Sequence, residues 1–384
     1  MTRTVLILGA GLAGYGVARE LRKLDKESRL VIVSRDAADS YSKPMLSNAL
    51  SGHKTPASLV MKTCAQMADE LDADIRPRTE VRAIDVAARR VELADGSGIR
   101  WDALVLALGA DPIRLPLDGD GAADVLSVND LDDFARWNER LVDARRVVLL
   151  GGGLIGCEFA NDLLSRDVRP TVVDLADRPL GRLLPPEAAA FFQDQLEAAG
   201  VVFRLDARVT AVQKNDGCYR VRVADGSTLN ADVVLSAVGL RPRTALAEAA
   251  GCRVARGIVT DRRLETSVPG VYAVGDCAEV DGLNLPFVMP ILHQARALAG
   301  TLTGTPTAVQ YPVMPVLVKT PACPTVVCPP PAEAEGQWRV EGDGDGLAAL
   351  FEGEDGQLLG FALVGKATAR RQELAARVPR PLSD

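Results

Sequence analysis

Gly151-Gly152-Gly153-Leu154-Ile155-Gly156 repeats a pattern already used once, at Gly9-Ala10-Gly11-Leu12-Ala13-Gly14. Each copy follows four apolar residues, Val147-Val148-Leu149-Leu150 and Val5-Leu6-Ile7-Leu8, and each precedes a helix-like segment. Strand, then G-x-G-x-x-G, then helix is the context in which glycines bind a dinucleotide. The first glycine allows the tight turn, the second lets backbone approach a pyrophosphate, and the third lets helix pack close to strand. The helix N-terminus adds free N–H groups and a positive dipole end. Two such loops in one chain predict two bound dinucleotides.

Outward from the second loop, its helix continues through Cys157 and Glu158, and the next apolar strand, Thr171-Val172-Val173, ends at Asp174. A carboxylate there accepts from a ribose 2′-hydroxyl and repels a 2′-phosphate, so the second nucleotide reads as NADH. The first loop differs. Its next strand, Leu30-Val31-Ile32-Val33, runs into Ser34-Arg35-Asp36. Asp36 is late for a ribose contact, and Arg35 is placed to face a phosphate or adenine. After Tyr41-Ser42-Lys43-Pro44-Met45-Leu46-Ser47, alternating residues predict a hairpin over 79–101, then the buried strand Leu104-Val105-Leu106-Ala107-Leu108 closed by Gly109. Val233-Val234-Leu235-Ser236-Ala237-Val238-Gly239 mirrors that ending, and a later strand ends at Gly275-Asp276. Met289-Pro290 opens a helix.

The fold class expected is α/β: two Rossmann-like dinucleotide-binding domains and a small C-terminal α+β domain. The boundaries read as 1–116 and 236–300 for the two parts of the first domain, 117–235 for the second and 301–384 for the third. In the last, the acidic turns around Asp343-Gly344-Asp345-Gly346 and Glu354-Asp355-Gly356 resemble calcium loops in composition only, and we read them as hairpin turns. A C-terminal helix is expected over 367–377.

The net charge of −7 argues against nucleic acid as a partner, and no apolar run is long enough to span a bilayer. Arg3 is followed at once by strand and glycine loop, so no secretory leader is read. The seven cysteines are odd in number and scattered, which fits a reducing, cytoplasmic setting. With His53 and His293 the only histidines, no metal centre is expected.

End to end, these motifs resemble the two-dinucleotide flavoprotein disulfide-reductase superfamily. Tyr41 to Ser47, Pro315-Val316-Leu317-Val318-Lys319-Thr320-Pro321-Ala322 and Asp281-Gly282-Leu283-Asn284 resemble its rubredoxin and flavorubredoxin reductases. The resemblance implies FAD on Gly9, Gly11, Ala13 and Gly14, with Val81 by the adenine. Ala107-Leu108-Gly109 and Gly239 are family elements, and Gly275-Asp276 meets the ribitol chain. It implies NADH on Gly151, Gly153, Leu154, Ile155, Gly156, Glu158 and Asp174. Lys43, Pro44, Met289 and Lys319 fall near the flavin ring, and the two lysines are the expected catalytic residues, favouring an anionic reduced flavin and steering an acidic partner. The implied activity is hydride transfer from NADH to FAD, then two single-electron transfers to rubredoxin, by a monomer serving alkane hydroxylation or oxygen removal. A ferredoxin or flavorubredoxin reductase and a FAD-bound redox signalling protein stay open. The disulfide-reductase members carry a Cys-x4-Cys on the first unit's helix. Residues 41–51 here hold no cysteine, so no thiol relay is expected.

Overall fold

The computed structural model describes residues 3–382. Thr4–Leu8 is the middle strand of a five-stranded parallel sheet in the order Val271–Ala273, Ala103–Leu106, Thr4–Leu8, Arg29–Val33, Ala73–Arg76. The three inner strands are nearly continuous runs of buried Val, Leu and Ile, as a parallel sheet covered on both faces requires. The edge strand Val271–Ala273 pairs with Ala103–Leu106 after an excursion through a second sheet. That sheet is also parallel, in the order Val202–Arg204, Arg169–Val173, Arg146–Leu150, Val233–Ser236. Each sheet carries a three-stranded antiparallel meander in its connection, one within 81–100 and one within 209–231. Ala110–Pro112 pairs antiparallel with Leu240–Pro242 where the chain leaves and re-enters. The prolines end both short strands because they cannot extend a ladder.

Both glycine loops lead into helices, Leu12–Leu24 and Leu154–Leu163. The helix Leu131–Arg140 precedes the second glycine loop; Asp130 caps it by accepting from the Asp133 N–H. Its Trp137 meets Phe159 edge-on at 5.8 Å, a contact worth about 0.5–1.5 kcal/mol that ties it to Leu154–Leu163.

The C-terminal sheet is antiparallel, in the order Val316–Val318, Thr325–Cys328, Leu358–Gly365, Gly346–Glu352, Gln337–Asp343. Both acidic turns are hairpin turns between these strands. The expected helix is reduced to a 3-10 segment, Lys366–Arg370, and the short helix Arg371–Ala375. Gly365 turns sharply at φ +62, and the Thr368 hydroxyl donates to its carbonyl at 2.8 Å, tightening the first turn. Among the described residues no helix is long and apolar enough to cross a membrane, and no cluster of His, Cys, Asp or Glu could hold a metal.

Candidate functional site

Gly9 lies at φ +114, and a Cβ there would stand 2.2 Å from the Ala107 carbonyl oxygen. A Cβ on Gly14 would stand 1.9 Å from the Gly9 oxygen. Those two glycines are explained by the protein's own backbone. Gly11 is not: a Cβ there meets nothing within 4 Å. Gly11 also caps the helix Leu12–Leu24 without any side-chain hydrogen bond, so first-turn N–H groups have no protein acceptor. The second loop repeats this. Gly156 would clash with the Gly151 oxygen at 1.9 Å, while Gly153 faces open space and leaves its helix uncapped. Open space beside a bare helix N-terminus fits a pyrophosphate at each loop.

The first loop opens into a cavity of about 1580 Å³. That exceeds the roughly 300–1,000 Å³ of a drug-sized pocket, a scale suited to a dinucleotide. Gly9, Gly11 and Ala13 line one end, with Ser34, Arg35, Asp36 and Val81. Ala107, Leu108 and Gly109 form its floor. Lys43, Pro44, Asp276, Met289 and Lys319 line it further along, as do Leu154, Ile155 and Glu158 of the second unit. Gly14 and Gly275 lie behind its wall; Gly151, Gly153, Gly156, Asp174 and Gly239 also lie outside its lining.

At the first end, Asp36 accepts from the Ser34 hydroxyl at 2.6 Å and the Ala38 N–H at 2.9 Å. Arg35 reaches Asp111 at 3.3 Å, which Arg243 also grips through Nε at 2.7 Å. Arg243 further donates to the Leu108 carbonyl at 2.6 Å. Burial pushes the Asp111 carboxyl up, but these two guanidinium groups outweigh it and hold it below the usual range. Asp111, in the paired strand Ala110–Pro112, and Arg243, just past its partner Leu240–Pro242, were not singled out from the sequence.

Asp276 is fixed by its neighbours. Gly275, at φ +78, donates its N–H to buried Gln294 at 2.7 Å, and Asn284 donates to the Asp276 and Ala278 carbonyls at 3.2 and 2.7 Å. Lys43, on the 3-10 segment Lys43–Asn48, comes within 3.8 Å of the Asp276 carboxylate. Burial pushes the Lys43 ammonium below its ordinary value, with Asp276 opposing that shift.

Lys319 enters from the third sheet. Its ammonium pairs with Glu158, and its N–H donates to Glu158 Oε1 at 2.9 Å. Ser47 donates to the other Glu158 oxygen at 2.6 Å. Glu158 is only 1% exposed and bonds Ser47 and Lys319, while it also lines the cavity. Asn161 and Asp162 continue the row along the same helix. Asn161 accepts from the Ala322 N–H at 3.0 Å, and Asp162 from the N–H groups of Leu50 and Ser51 at 2.8 and 2.9 Å. One helix therefore grips both the lysine-bearing segment of the first unit and that of the third. At the second loop, Asp174 accepts from the Gly152 N–H and, at 2.7 Å, the Ala176 N–H.

All seven cysteines are unpaired. Cys277, beside Asp276, is buried, and burial pushes its thiol up to about 11. Cys328 lines the cavity, and burial pushes it likewise to about 11. Both are held as neutral thiols, poor nucleophiles toward a ring or a disulfide.

Two Rossmann-type loops, one opening into a dinucleotide-sized cavity that the other unit and a third sheet help to wall, define a two-nucleotide oxidoreductase. A profile of the pyridine nucleotide-disulphide oxidoreductase family matches residues 3–310, and the chain belongs to that family. A second profile, the rubredoxin binding C-terminal domain, matches residues 308–378. The rubredoxin-NAD(+) reductase of Alcanivorax borkumensis is 46% identical over 98% of both chains. That of Acinetobacter baylyi is 48% identical over 96% of both. Among solved structures, a ferredoxin reductase of Rhodopseudomonas palustris superposes with a TM-score of 0.88 at 29% identity, over 99% of this chain and 96% of the other.

Proposed function

We propose that the chain is an NADH:rubredoxin oxidoreductase with FAD as its resident cofactor. Bound FAD supplies the redox chemistry, taking a hydride from NADH and passing electrons singly to the iron of a rubredoxin. The chain's own residues bind, align and set the field. N–H groups of the first loop receive the FAD pyrophosphate, and Asp276 accepts from hydroxyls of the ribitol chain. Leu154 and Ile155, at the start of the second helix, bring NADH to the wall shared with Lys43 and Lys319. Asp174 receives the NADH ribose. Those lysines stabilise negative charge on the ring side and attract an acidic partner.

The observation that carries this reading is the third sheet's contribution to the cavity. The region matched as rubredoxin-binding lines it through Val316, Leu317 and Lys319. Of the lining residues, Val288, Met289 and Leu317 are 37, 46 and 54% exposed, an apolar rim on a cavity that two lysines also line. Such a rim suits the small, transient contacts of electron carriers. The unpaired cysteines support a cytoplasmic setting, and an oxygenase acting on alkanes is the consumer that the resemblance implies.

The test is stopped-flow reoxidation of the NADH-reduced protein by rubredoxin, a ferredoxin and oxygen in parallel. Rubredoxin is expected to react fastest by at least about tenfold. A ferredoxin that reacts as fast as rubredoxin would overturn the partner. Protein that stays colourless with added FAD would overturn the whole reading.

A further inference from the structure

Among the described buried side-chain atoms without a hydrogen-bond partner, one belongs to a residue that lines the cavity: Oδ1 of Asn129. The residue is 6% exposed, so water reaches it poorly. Its other terminal atom is occupied. Nδ2 donates to the Ala110 carbonyl at 2.9 Å. A carbonyl can only accept, so this bond fixes which way round the amide sits. Turning it over would set two oxygens against each other and leave the amine unbonded. Oδ1 is therefore held as an acceptor with no donor supplied by the protein. A buried polar atom in that condition is costly unless something outside the chain completes it.

The backbone around it is held on both sides. The Asn129 N–H donates to Asp133 Oδ2 at 3.0 Å, inside the cap of the helix Leu131–Arg140. Three residues earlier, the Leu126 N–H donates to the Val234 carbonyl at 2.9 Å, on the second sheet's edge. Asn129 is thus carried by the second unit and bonded to Ala110, the residue just past Gly109 on the first unit's side of the crossing. Ala110 and Asp111 line the same cavity. The amide is rigidly mounted at a seam between the two nucleotide units.

We propose that Asn129 is a cofactor-binding residue: its Oδ1 accepts a hydrogen bond from a hydroxyl or ring N–H of the bound flavin dinucleotide. A phosphate oxygen is the wrong partner, because it brings negative charge and no donor to an acceptor. This rests on the flavoprotein reading above, and the assignment adds a contact from the second unit to a cofactor otherwise held by the first.

The test is FAD affinity. Apo-protein is prepared from the wild type, Asn129→Ala and Asn129→Leu, and FAD binding is followed by quenching of its fluorescence. Losing one neutral hydrogen bond predicts a Kd raised roughly five- to tenfold in both variants. Melting temperatures with and without FAD separate this from a structural role. Loss of the Ala110 bond alone lowers both melts equally, whereas loss of a ligand contact also shrinks the upward shift that FAD confers. Wild-type affinity and an undiminished shift overturn the proposal. If the variants do not fold, a structure of the FAD-loaded wild type decides. Oδ1 within hydrogen-bond distance of a cofactor hydroxyl or N–H supports it, and Oδ1 bonded only to water or to nothing overturns it. Failure of the wild-type apo-protein to bind FAD sinks the flavoprotein reading instead, so the two failures are distinct.

Discussion

The two glycine loops are near copies in backbone and unlike in surroundings. Both put their third glycine 1.9 Å, at Cβ, from the first glycine's oxygen, and both leave the middle glycine facing open space. Yet the first opens into the large cavity walled by all three sheets' connections, while the glycines of the second lie outside it. The first strand pair ends in Ser34, which donates to Asp36, and Arg35, which shares Asp111 with Arg243; the second ends directly in a carboxylate, Asp174. The same loop thus serves opposite needs. Enclosure slows dissociation and suits a cofactor that stays, while an open site suits one that must arrive and leave each turnover.

Equal clashes should then have unequal consequences. Gly14→Ala is expected to distort the enclosed loop and yield colourless protein without FAD. Gly156→Ala introduces the same 1.9 Å contact in the open loop. It is expected to leave the protein yellow while raising the KM for NADH roughly a hundredfold, about 3 kcal/mol, the upper part of the overpacking range. Absorbance of the purified variants and NADH titration check both. A yellow Gly14→Ala, or a colourless Gly156→Ala, would erase the distinction between the loops.

The next effect concerns the helix that follows the open loop. Glu158→Ala leaves the Lys319 ammonium without its buried partner. Breaking a buried pair costs about 3–5 kcal/mol; Lys319 keeps 22% of its side chain exposed, so the low end is expected. Thermal melts should fall, and reoxidation by rubredoxin should slow while reduction by NADH changes less. Equal slowing of both half-reactions would place Glu158 on the NADH side instead.

Smaller again is the exchange of nucleotide. Asp174→Ala is expected to raise the KM for NADH about tenfold, the loss of a charged hydrogen bond, and to lower that for NADPH. Steady-state kinetics with both nucleotides measures it. An unchanged ratio of the two would remove Asp174 from ribose recognition and leave it as a prop for Gly152 and Ala176.

Both loops, the hairpins, the late return of Gly275-Asp276 and the third sheet were legible in the sequence because each is a local pattern: apolar runs, glycines at fixed offsets, turn residues. What was not legible joins residues far apart. Glu158 and Lys319 are separated by 161 positions, and Asp162 meets Leu50 across 112. No periodicity links a carboxylate on one unit to a backbone N–H on another, so the sequence showed Glu158 beside the glycine loop but not its bonds to Ser47 and Lys319. Arg243 and Asn129 escaped for the same reason: each is an ordinary polar residue until the chain crosses over and brings a carbonyl or carboxylate to it.

The two lysines allow the finest comparison, because one is paired with a fully buried carboxylate and the other is not. Lys43 faces Asp276 at 3.8 Å and is pushed below an ordinary lysine's pKa, chiefly by burial. Below that pKa the ammonium is charged and attracts an acidic carrier; as pH rises through it, the charge and the attraction are lost. Reoxidation by rubredoxin should therefore fall a few-fold on the alkaline side, at a pH lower than an unperturbed lysine would give. Lys43→Arg, which stays charged throughout, should abolish that limb, and Lys43→Ala should show the reduced rate at all pH values with a weaker dependence on salt. Reduction by NADH serves as the control, since hydride transfer needs no charged carrier to dock. An alkaline limb that survives in Lys43→Arg would assign the titration to another group and leave Lys319, locked by Glu158, as the lysine that sets the field.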